Sequence, residues 1–140
     1  MNVKSSRLEH QVEEIENLLG KLKEQVDKGI PLLVEGKRDA EALYRLEISG
    51  RVIELKSSEK SVFNRLEHDV KDREVIILTD FDRRGSDLAK SIQTHFQGQG
   101  KRVNMLFWKR MRRIVGRNVK DVEGLPSYLA TLRRMSSNPA

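Results

Sequence analysis

The sequence contains no cysteine among its 140 residues. This absence excludes a disulfide framework and any metal site built from thiolates, and it is compatible with a reducing compartment. No apolar run reaches membrane-spanning length, and the N-terminal stretch MNVKSSRLEH lacks the apolar core of a signal peptide. We therefore expect a cytoplasmic protein that does not associate with membranes.

Acidic residues are missing from residues 101–120, which contain eight lysines and arginines. Because the whole chain carries a formal charge of +6, the remaining residues carry a net charge of −2. A basic segment on a slightly acidic body favours a polyanionic partner such as RNA or DNA, with a solvated cationic face as the alternative. Its centre, FWKRMRRIVGR, supplies five candidate phosphate-binding residues: Lys109, Arg110, Arg112, Arg113 and Arg117.

Apolar runs alternate with helical patterns after residue 29. Four runs have the composition of buried strands: IPLLVEG, RVIELK, EVIILTD and RVNMLFW. The other segments have helical spacing, KRDAEALYRLEI, SVFNRLEHDV, SDLAKSIQTHFQGQG and PSYLATLRRM, with a shorter strand-like piece, NVKDV, before the last. This alternation predicts an α/β, Rossmann-like fold in which helices flank a central parallel sheet of about four strands. In the first helix of this series we expect Ala40, Leu43, Tyr44 and Leu46 to face the core.

Residues 5–28 have the spacing of an amphipathic helix, closed by Gly29 and Pro31. Its apolar stripe consists of Leu8, Val12, Ile15, Leu18, Leu19, Leu22 and Val26. Two interpretations stay open: the helix packs on the domain, or it binds a protein partner or a second copy of the chain as a homodimer.

Two of the predicted strands end in acidic residues, Glu35 in VEG and the pair Asp80 and Asp82 in LTDFDRRG. The carboxyl ends of parallel strands meet at one edge of the sheet, where functional residues lie beside a change in strand order. Carboxylates gathered there suit a hard cation such as Mg²⁺, which prefers oxygen ligands. Asp39 either favours the start of the following helix electrostatically or adds a further metal ligand.

Glycine and cations follow both acidic strand ends. We expect Gly36 and Gly85 to let the backbone turn sharply into each following helix. Lys37 and Arg38, and likewise Arg83 and Arg84, would then lie where phosphate oxygens can be gripped.

Other signals are weaker. GIPLLVEGKR has the wrong glycine spacing for a P-loop, and GQGKRV precedes a strand and lacks the third glycine of a dinucleotide fingerprint. His10, His68 and His95 show no metal-ligand spacing. Glu123 is a candidate further carboxylate for the acidic cluster.

VEGKRDAEAL together with LTDFDRRG resembles the Toprim domain of topoisomerases, bacterial primases and several nucleases. Within that family the chain looks like the small stand-alone archaeal and bacterial Toprim proteins and the 5S ribosomal RNA maturation endonuclease, whose end-of-domain motif is similar to VKDVEGLPSYL. The resemblance implies Mg²⁺, with Mn²⁺ as a substitute, held by Asp80, Asp82, Asp39 and Glu35. It also implies that Glu35 acts as a general acid or base.

The resemblance divides the chain into an N-terminal helical extension (1–29), a Toprim domain (30–125) and a C-terminal helix with a loose tail (126–140). A topoisomerase is not expected, because no second domain carries a catalytic tyrosine and Tyr44 and Tyr128 have the spacing of packing residues. Three hypotheses stay open. They are Mg²⁺-dependent cleavage of RNA or DNA, a non-catalytic nucleic-acid-binding module of a larger complex, and a primase-like nucleotidyl transferase.

Overall fold

The computed structural model describes residues 3–55 and 70–137. The predicted helix SVFNRLEHDV lies outside these residues except for Val70, which is buried. None of the helices in the described ranges combines the length and apolarity that crossing a bilayer requires.

The described residues contain five α-helices and four β-strands. The helices are α1 (Val3–Asp27), α2 (Lys37–Arg45), α3 (Arg83–Gly98), α4 (Leu106–Val115) and α5 (Leu125–Ser137), with a 3₁₀ turn at Val122–Gly124. The strands are β1 (Leu32–Val34), β2 (Val52–Glu54), β3 (Glu74–Ile77) and β4 (Arg102–Asn104). This order confirms the predicted α/β class.

The four strands form one sheet in the order β2-β1-β3-β4, and all neighbouring pairs are parallel. Leu32 of β1 pairs with Val52 on one side and with Ile76 on the other. The chain therefore moves outward from β1 to β2, then crosses back to place β3 on the opposite side of β1. The strand order changes direction between β1 and β3, which is where a parallel sheet opens a crevice at its carboxyl edge.

Helix α1 packs against α4 and α5 of the same chain. Within its predicted apolar stripe, Leu8 is half-buried and the other six side chains are buried in the core that also contains the sheet. At about 25 cal/mol per Å² of apolar surface, burying such a stripe stabilises the folded chain substantially. The structure thus accounts for this stripe by packing within one chain.

The predicted fourth strand, RVNMLFW, is wrong in its second half. Strand β4 ends at Asn104, and α4 begins at Leu106. The Oδ1 atom of Asn104 accepts a hydrogen bond from the backbone N–H of Leu106 at 2.9 Å, so this N–H bonds to a side chain and not to a neighbouring strand. Phe107 and Trp108 are both buried, but from a helix.

Two smaller predictions are also wrong. NVKDV forms no strand but leads into the 3₁₀ turn, because Oδ1 of Asp121 accepts a hydrogen bond from the N–H of Gly124 at 2.9 Å. Tyr44 does not face the core and is 72% exposed. The buried face of α2 contains Asp39, Ala42 and Leu43, and the helical rotation carries Tyr44 away from that face.

Candidate functional site

The acidic site lies at the change in strand order. Glu35 directly follows β1 and Asp80 lies three residues beyond β3. The two meet although they are 45 residues apart in sequence: Oε2 of Glu35 accepts a hydrogen bond from the backbone N–H of Asp80 at 2.7 Å. Glu35 is only 3% exposed. The predicted meeting of these two strand ends is therefore what the structure shows.

Asp80 lies near other carboxylates, whose negative charge disfavours its own ionisation. Burial, a side-chain hydrogen bond with Glu35 and the charges of Glu35, Asp39 and Asp121 raise the pKa of Asp80 to about 8. Its Oδ1 atom is buried and, in the described part of the chain, is the one such side-chain atom without a hydrogen-bond partner. A buried acceptor without a hydrogen-bond partner costs about 1–3 kcal/mol of folding free energy. This atom is therefore a candidate position for a bound cation.

Asp39 joins the cluster from the first turn of α2. Its Oδ2 accepts from the N–H of Gly36 at 3.0 Å, and its Oδ1 accepts from the N–H of Glu123 at 3.1 Å. Burial raises the pKa of Asp39, and the charges of Glu35 and Asp121 add to the rise, while the two backbone hydrogen bonds oppose it. Asp39 therefore ties α2 to the 3₁₀ turn as well as adding negative charge beside Asp80.

Asp121 is the cluster member that the sequence analysis missed. Its charge acts on both Asp80 and Asp39, and its Oδ1 caps the 3₁₀ turn. The signal was present in VKDVEGLPSYL, but the candidate chosen from that segment was Glu123. In the structure the backbone N–H of Glu123 donates a hydrogen bond to Asp39, and the carboxylate of Glu123 lies 3.7 Å from the guanidinium of Arg38.

Asp82 has a different local environment from Asp80. It is exposed, and its Oδ1 accepts a hydrogen bond from the N–H of Gly85 at 2.7 Å as the N-cap of α3. Aspartate at this position stabilises a helix by satisfying one of its free backbone donors. The structure thus gives Asp82 a capping role that holds whether or not it also binds metal.

The loop from Asp80 to Asp82 is fixed on several sides. The indole Nε1 of Trp108 donates to the carbonyl of Asp80 at 3.2 Å, and Nε of Arg112 donates to the carbonyl of Phe81 at 3.3 Å. The N–H of Phe81 donates to the carbonyl of Lys120 at 2.7 Å. The guanidinium of Arg112 also lies 5.3 Å from the centre of the Trp108 ring. Helix α4 therefore positions the acidic loop.

The two glycines act differently from the expectation. Gly36 has an extended backbone with φ −148°, which any residue adopts, and a Cβ there would meet no atom within 4 Å. At Gly85 a Cβ would lie 2.0 Å from the carbonyl oxygen of Asp80. Only glycine lets α3 begin this close to the loop, so the requirement at Gly85 is space and not a sharp turn.

The predicted phosphate-binding residues separate into groups in space. All nine are exposed. Four of them line a cavity of about 500 Å³ next to Phe81, namely Lys109, Arg112, Arg113 and Arg117. Arg110 instead lines a cavity against Glu14 of α1, which Arg113 also borders. Lys37 and Arg38 line a third cavity beside α2, and Arg83 and Arg84 occupy the first turn of α3.

The carboxylate site suits a hard cation, on three structural grounds. Its donors are oxygens, Oδ1 of Asp80 has no hydrogen-bond partner in the described part of the chain, and the surrounding charge is negative. Among residues 3–55 and 70–137, however, no three carboxylate or histidine side chains form a ready-made metal cage. This arrangement fits Mg²⁺, which keeps several waters and commonly takes only one or two protein carboxylates.

Comparison with known proteins identifies the family. The Toprim domain model matches residues 31–111. A UPF0292 protein of Methanosarcina barkeri is 41% identical over 123 residues, which cover 87% of this chain and 85% of the relative. A UPF0292 protein of Methanocaldococcus jannaschii is 38% identical over 101 residues, which cover 71% and 77%. A solved structure of a protein from Aquifex aeolicus has a TM-score of 0.63 at 25% identity and covers 76% of this chain and 94% of that one.

These matches define the class as α/β proteins with a Toprim domain. The chain belongs to the Toprim family, and its relatives carry the name UPF0292. Toprim domains generally bind Mg²⁺, and membership indicates a metal-dependent function connected with nucleic acid.

Proposed function

We propose that this protein is a Mg²⁺-dependent enzyme that cleaves phosphodiester bonds in RNA or DNA. The observation that carries the proposal is the contact between Glu35 and Asp80, together with the buried Oδ1 of Asp80, for which residues 3–55 and 70–137 supply no hydrogen-bond partner. Two adjacent carboxylates, one buried and one half-buried, repel each other when both are ionised, so the pair is costly to maintain. Such a cost is typical of functional sites, where it is recovered when a cation binds.

A cationic surface borders the same loop. Phe81 lies between Asp80 and Asp82 and lines the cavity that contains Lys109, Arg112, Arg113 and Arg117. These side chains would neutralise backbone phosphates without reading sequence. A nucleic-acid strand held on α4 would thus pass directly beside the carboxylates.

Asp80 and Glu35 would hold the metal, and Asp82, two residues beyond Asp80, is proposed as a further ligand. A Mg²⁺ ion held there would supply Lewis-acid chemistry, polarising a phosphoryl oxygen and offsetting negative charge during displacement. Glu35 is proposed to move a proton. In the metal-free protein it has a side-chain hydrogen bond with Asp80, whose pKa is raised to about 8, and a cation bound to the pair would displace the proton held there.

A cleavage screen with matched variants tests this proposal. Purified wild-type protein is incubated with structured and single-stranded RNA and DNA, with Mg²⁺ or with EDTA. We expect Mg²⁺-dependent multiple turnover that Glu35→Gln and Asp80→Asn each reduce at least about a hundredfold. Asp87→Asn, an exposed acid on α3, makes the same change in charge and should retain activity. Equal cleavage by wild type and Glu35→Gln would contradict the assignment.

The second candidate is a non-catalytic module that uses metal and cations to hold nucleic acid in a larger complex. Both oxygens of Asp39 and Oδ1 of Asp82 already accept backbone hydrogen bonds, which favours a structural use of these acids. This candidate predicts Mg²⁺-dependent binding without turnover in the same screen, so one experiment distinguishes the two.

A further inference from the structure

Tyr44 is the most exposed large hydrophobic side chain of the described residues, at 72%. A single exposed aromatic residue needs no explanation by itself, since apolar atoms make up much of any protein surface. Tyr44, however, does not stand alone. It forms one wall of a cavity of about 590 Å³ on the α2 side of the molecule.

The size and lining of this cavity suit a nucleoside. Its volume falls in the range of small-molecule sites, about 300–1,000 Å³. Besides Tyr44 it is lined by the methyl group of Ala40 and by side chains with hydrogen-bonding tips: Lys37, Arg38, Glu41, Arg45, Glu54 and Glu123. An aromatic ring for stacking and polar groups around it are the elements that bind an unpaired base.

The residues that line this cavity carry a different charge from those that line the cavity next to Phe81, which is here called the α4 cavity. Among the described residues that line the cavity beside Tyr44, three cations are matched by three carboxylates, and Arg38 pairs with Glu123 at 3.7 Å. In the α4 cavity, all titratable lining residues within the described ranges are cationic. The α4 cavity therefore suits backbone phosphates, whereas the balanced cavity suits a neutral ligand that both donates and accepts hydrogen bonds. A nucleobase has this chemistry, because carboxylates accept from its exocyclic amino groups and arginines donate to its carbonyl oxygens.

Three residues that line the cavity lie near Glu35 along the chain or across the sheet, namely Lys37, Arg38 and Glu54. Lys37 and Arg38 follow Glu35 with only Gly36 between them. Glu54 ends β2 and pairs in register with Val34, the residue before Glu35. Both walls thus come from the carboxyl edge of the sheet where Glu35 and Asp80 meet.

We propose that Tyr44 and the cavity it lines bind an unpaired nucleobase of the substrate beside the Glu35–Asp80 site, so that the protein selects single-stranded or locally unpaired nucleic acid. The inference deepens the proposed function and rests on its nucleic-acid part. A base within a duplex is already paired and stacked, so it cannot enter this cavity without the cost of being flipped out.

Equilibrium binding without metal tests the inference separately from cleavage. The probes are fluorescent single strands of about 12 nucleotides, as DNA and as RNA. They are compared with abasic strands that keep the phosphates, and with the same sequence as a blunt duplex, all in EDTA. Wild type should bind the base-bearing strands about tenfold more tightly than the abasic ones. The variants are Tyr44→Ala and, as the matched control that keeps the ring, Tyr44→Phe.

Tyr44→Ala should lose about tenfold in affinity for base-bearing strands and leave affinity for abasic strands unchanged, while Tyr44→Phe stays near wild type. A fluorescent base analogue in the strand should be quenched by wild type and not by Tyr44→Ala. The inference is overturned if Tyr44→Ala binds base-bearing strands as tightly as wild type, or weakens binding to abasic strands equally.

The outcomes separate this inference from the proposed function. If wild type cleaves but Tyr44→Ala changes no affinity, the inference alone fails. If Tyr44→Ala shows the base-specific loss but no substrate is cleaved, cleavage fails and the base site stands. If wild type binds none of the strands in EDTA, the inference fails, and the cleavage screen with Mg²⁺ alone decides the proposed function.

Discussion

At the scale of single residues, the site depends on carboxylates with distinct local environments. Glu35 and Asp80 contact each other, Asp39 is fixed by two backbone donors, and Asp82 caps a helix. The carboxylates of Asp39 and Asp82 therefore stabilise the fold through backbone hydrogen bonds, whereas the contact between Glu35 and Asp80 brings two acids together at an electrostatic cost. A substitution that removes the negative charge but keeps the hydrogen-bond acceptor distinguishes a helix-capping role from a metal-binding role.

Asp82 is the position where these two roles separate most cleanly. Asp82→Asn keeps an N-cap acceptor for the N–H of Gly85 but removes the charge, whereas Asp82→Ala removes both. We expect Asp82→Ala to lose about 1 kcal/mol of unfolding free energy and Asp82→Asn to stay close to wild type. Because we place Asp82 near the metal, Asp82→Asn should nevertheless lose Mg²⁺-dependent cleavage. Chemical denaturation and the cleavage assay give the two readouts, and an active Asp82→Asn would restrict Asp82 to its cap.

Gly85 offers a test of the close approach between α3 and the acidic loop. In Gly85→Ala the new methyl group would lie 2.0 Å from the carbonyl oxygen of Asp80, so helix and loop must separate. We expect a loss of about 3 kcal/mol in unfolding free energy. The matched control is Gly20→Ala in the interior of α1, where a Cβ meets nothing within 4 Å and should add about 1 kcal/mol. Similar denaturation midpoints for the two variants would refute the spatial argument.

At the scale of elements, α4 has two functions on two faces. Its buried residues include Phe107, Trp108 and Met111, and Trp108 and Arg112 hold the acidic loop through its carbonyls. Its exposed cations point toward two different cavities. In the sequence these cations form one basic segment. The rotation of the helix distributes their side chains between the two cavities.

Arg117 and Arg110 form a matched pair for testing this division. Arg117 lines the cavity beside Phe81, whereas Arg110 faces α1 near Glu14. Both are exposed, and replacing either with alanine removes one charge. We expect Arg117→Ala to make the log–log salt dependence of nucleic-acid binding shallower by about one, and Arg110→Ala to change it little. Equal effects of the two variants would show a diffuse electrostatic surface.

At the scale of the whole molecule, the sequence was sufficient for the class of fold and for the main contact of the site. Both follow from a simple regularity, since parallel strands place their carboxyl ends together and the acids of VEG and LTD stand at those ends. The four-stranded sheet and the meeting of Glu35 with Asp80 were therefore predictable.

The parts that were not predictable depend on competition between local interactions and packing. Asn104 ends β4 with its side chain, so a run that reads as a strand becomes a helix. Asp121 reaches the cluster because the 3₁₀ turn docks on α2, and this long-range contact, not the motif VKDVEGLPSYL by itself, selects Asp121 over Glu123. Tyr44 is exposed because the buried face of α2 includes the polar Asp39, which shifts the helix relative to its apolar pattern.

The stability of the metal-free protein should depend on pH through the acidic site. The pKa of Asp80 rises from its ordinary 3.8 to about 8 on folding, so the folded state binds the proton more tightly than the unfolded state. The stability from this group is fully present below about pH 4 and is lost as the pH rises through about 8. In EDTA, the Tm of wild type should therefore fall relative to that of Asp80→Asn between pH 5 and 8, by on the order of 4 °C. Parallel pH profiles of the two proteins would argue against a shared proton at this site.

The central claim is that a divalent cation binds between the ends of β1 and β3. The most direct measurement is an anomalous difference map from crystals of the wild-type protein grown with Mn²⁺, with crystals of Asp80→Asn as the control. The account predicts one strong peak at about 2 Å from carboxylate oxygens of Asp80 and Glu35, and no such peak in the variant. A fully ordered site without a peak, or a Mn²⁺ ion bound elsewhere and unaffected by Asp80→Asn, would contradict it.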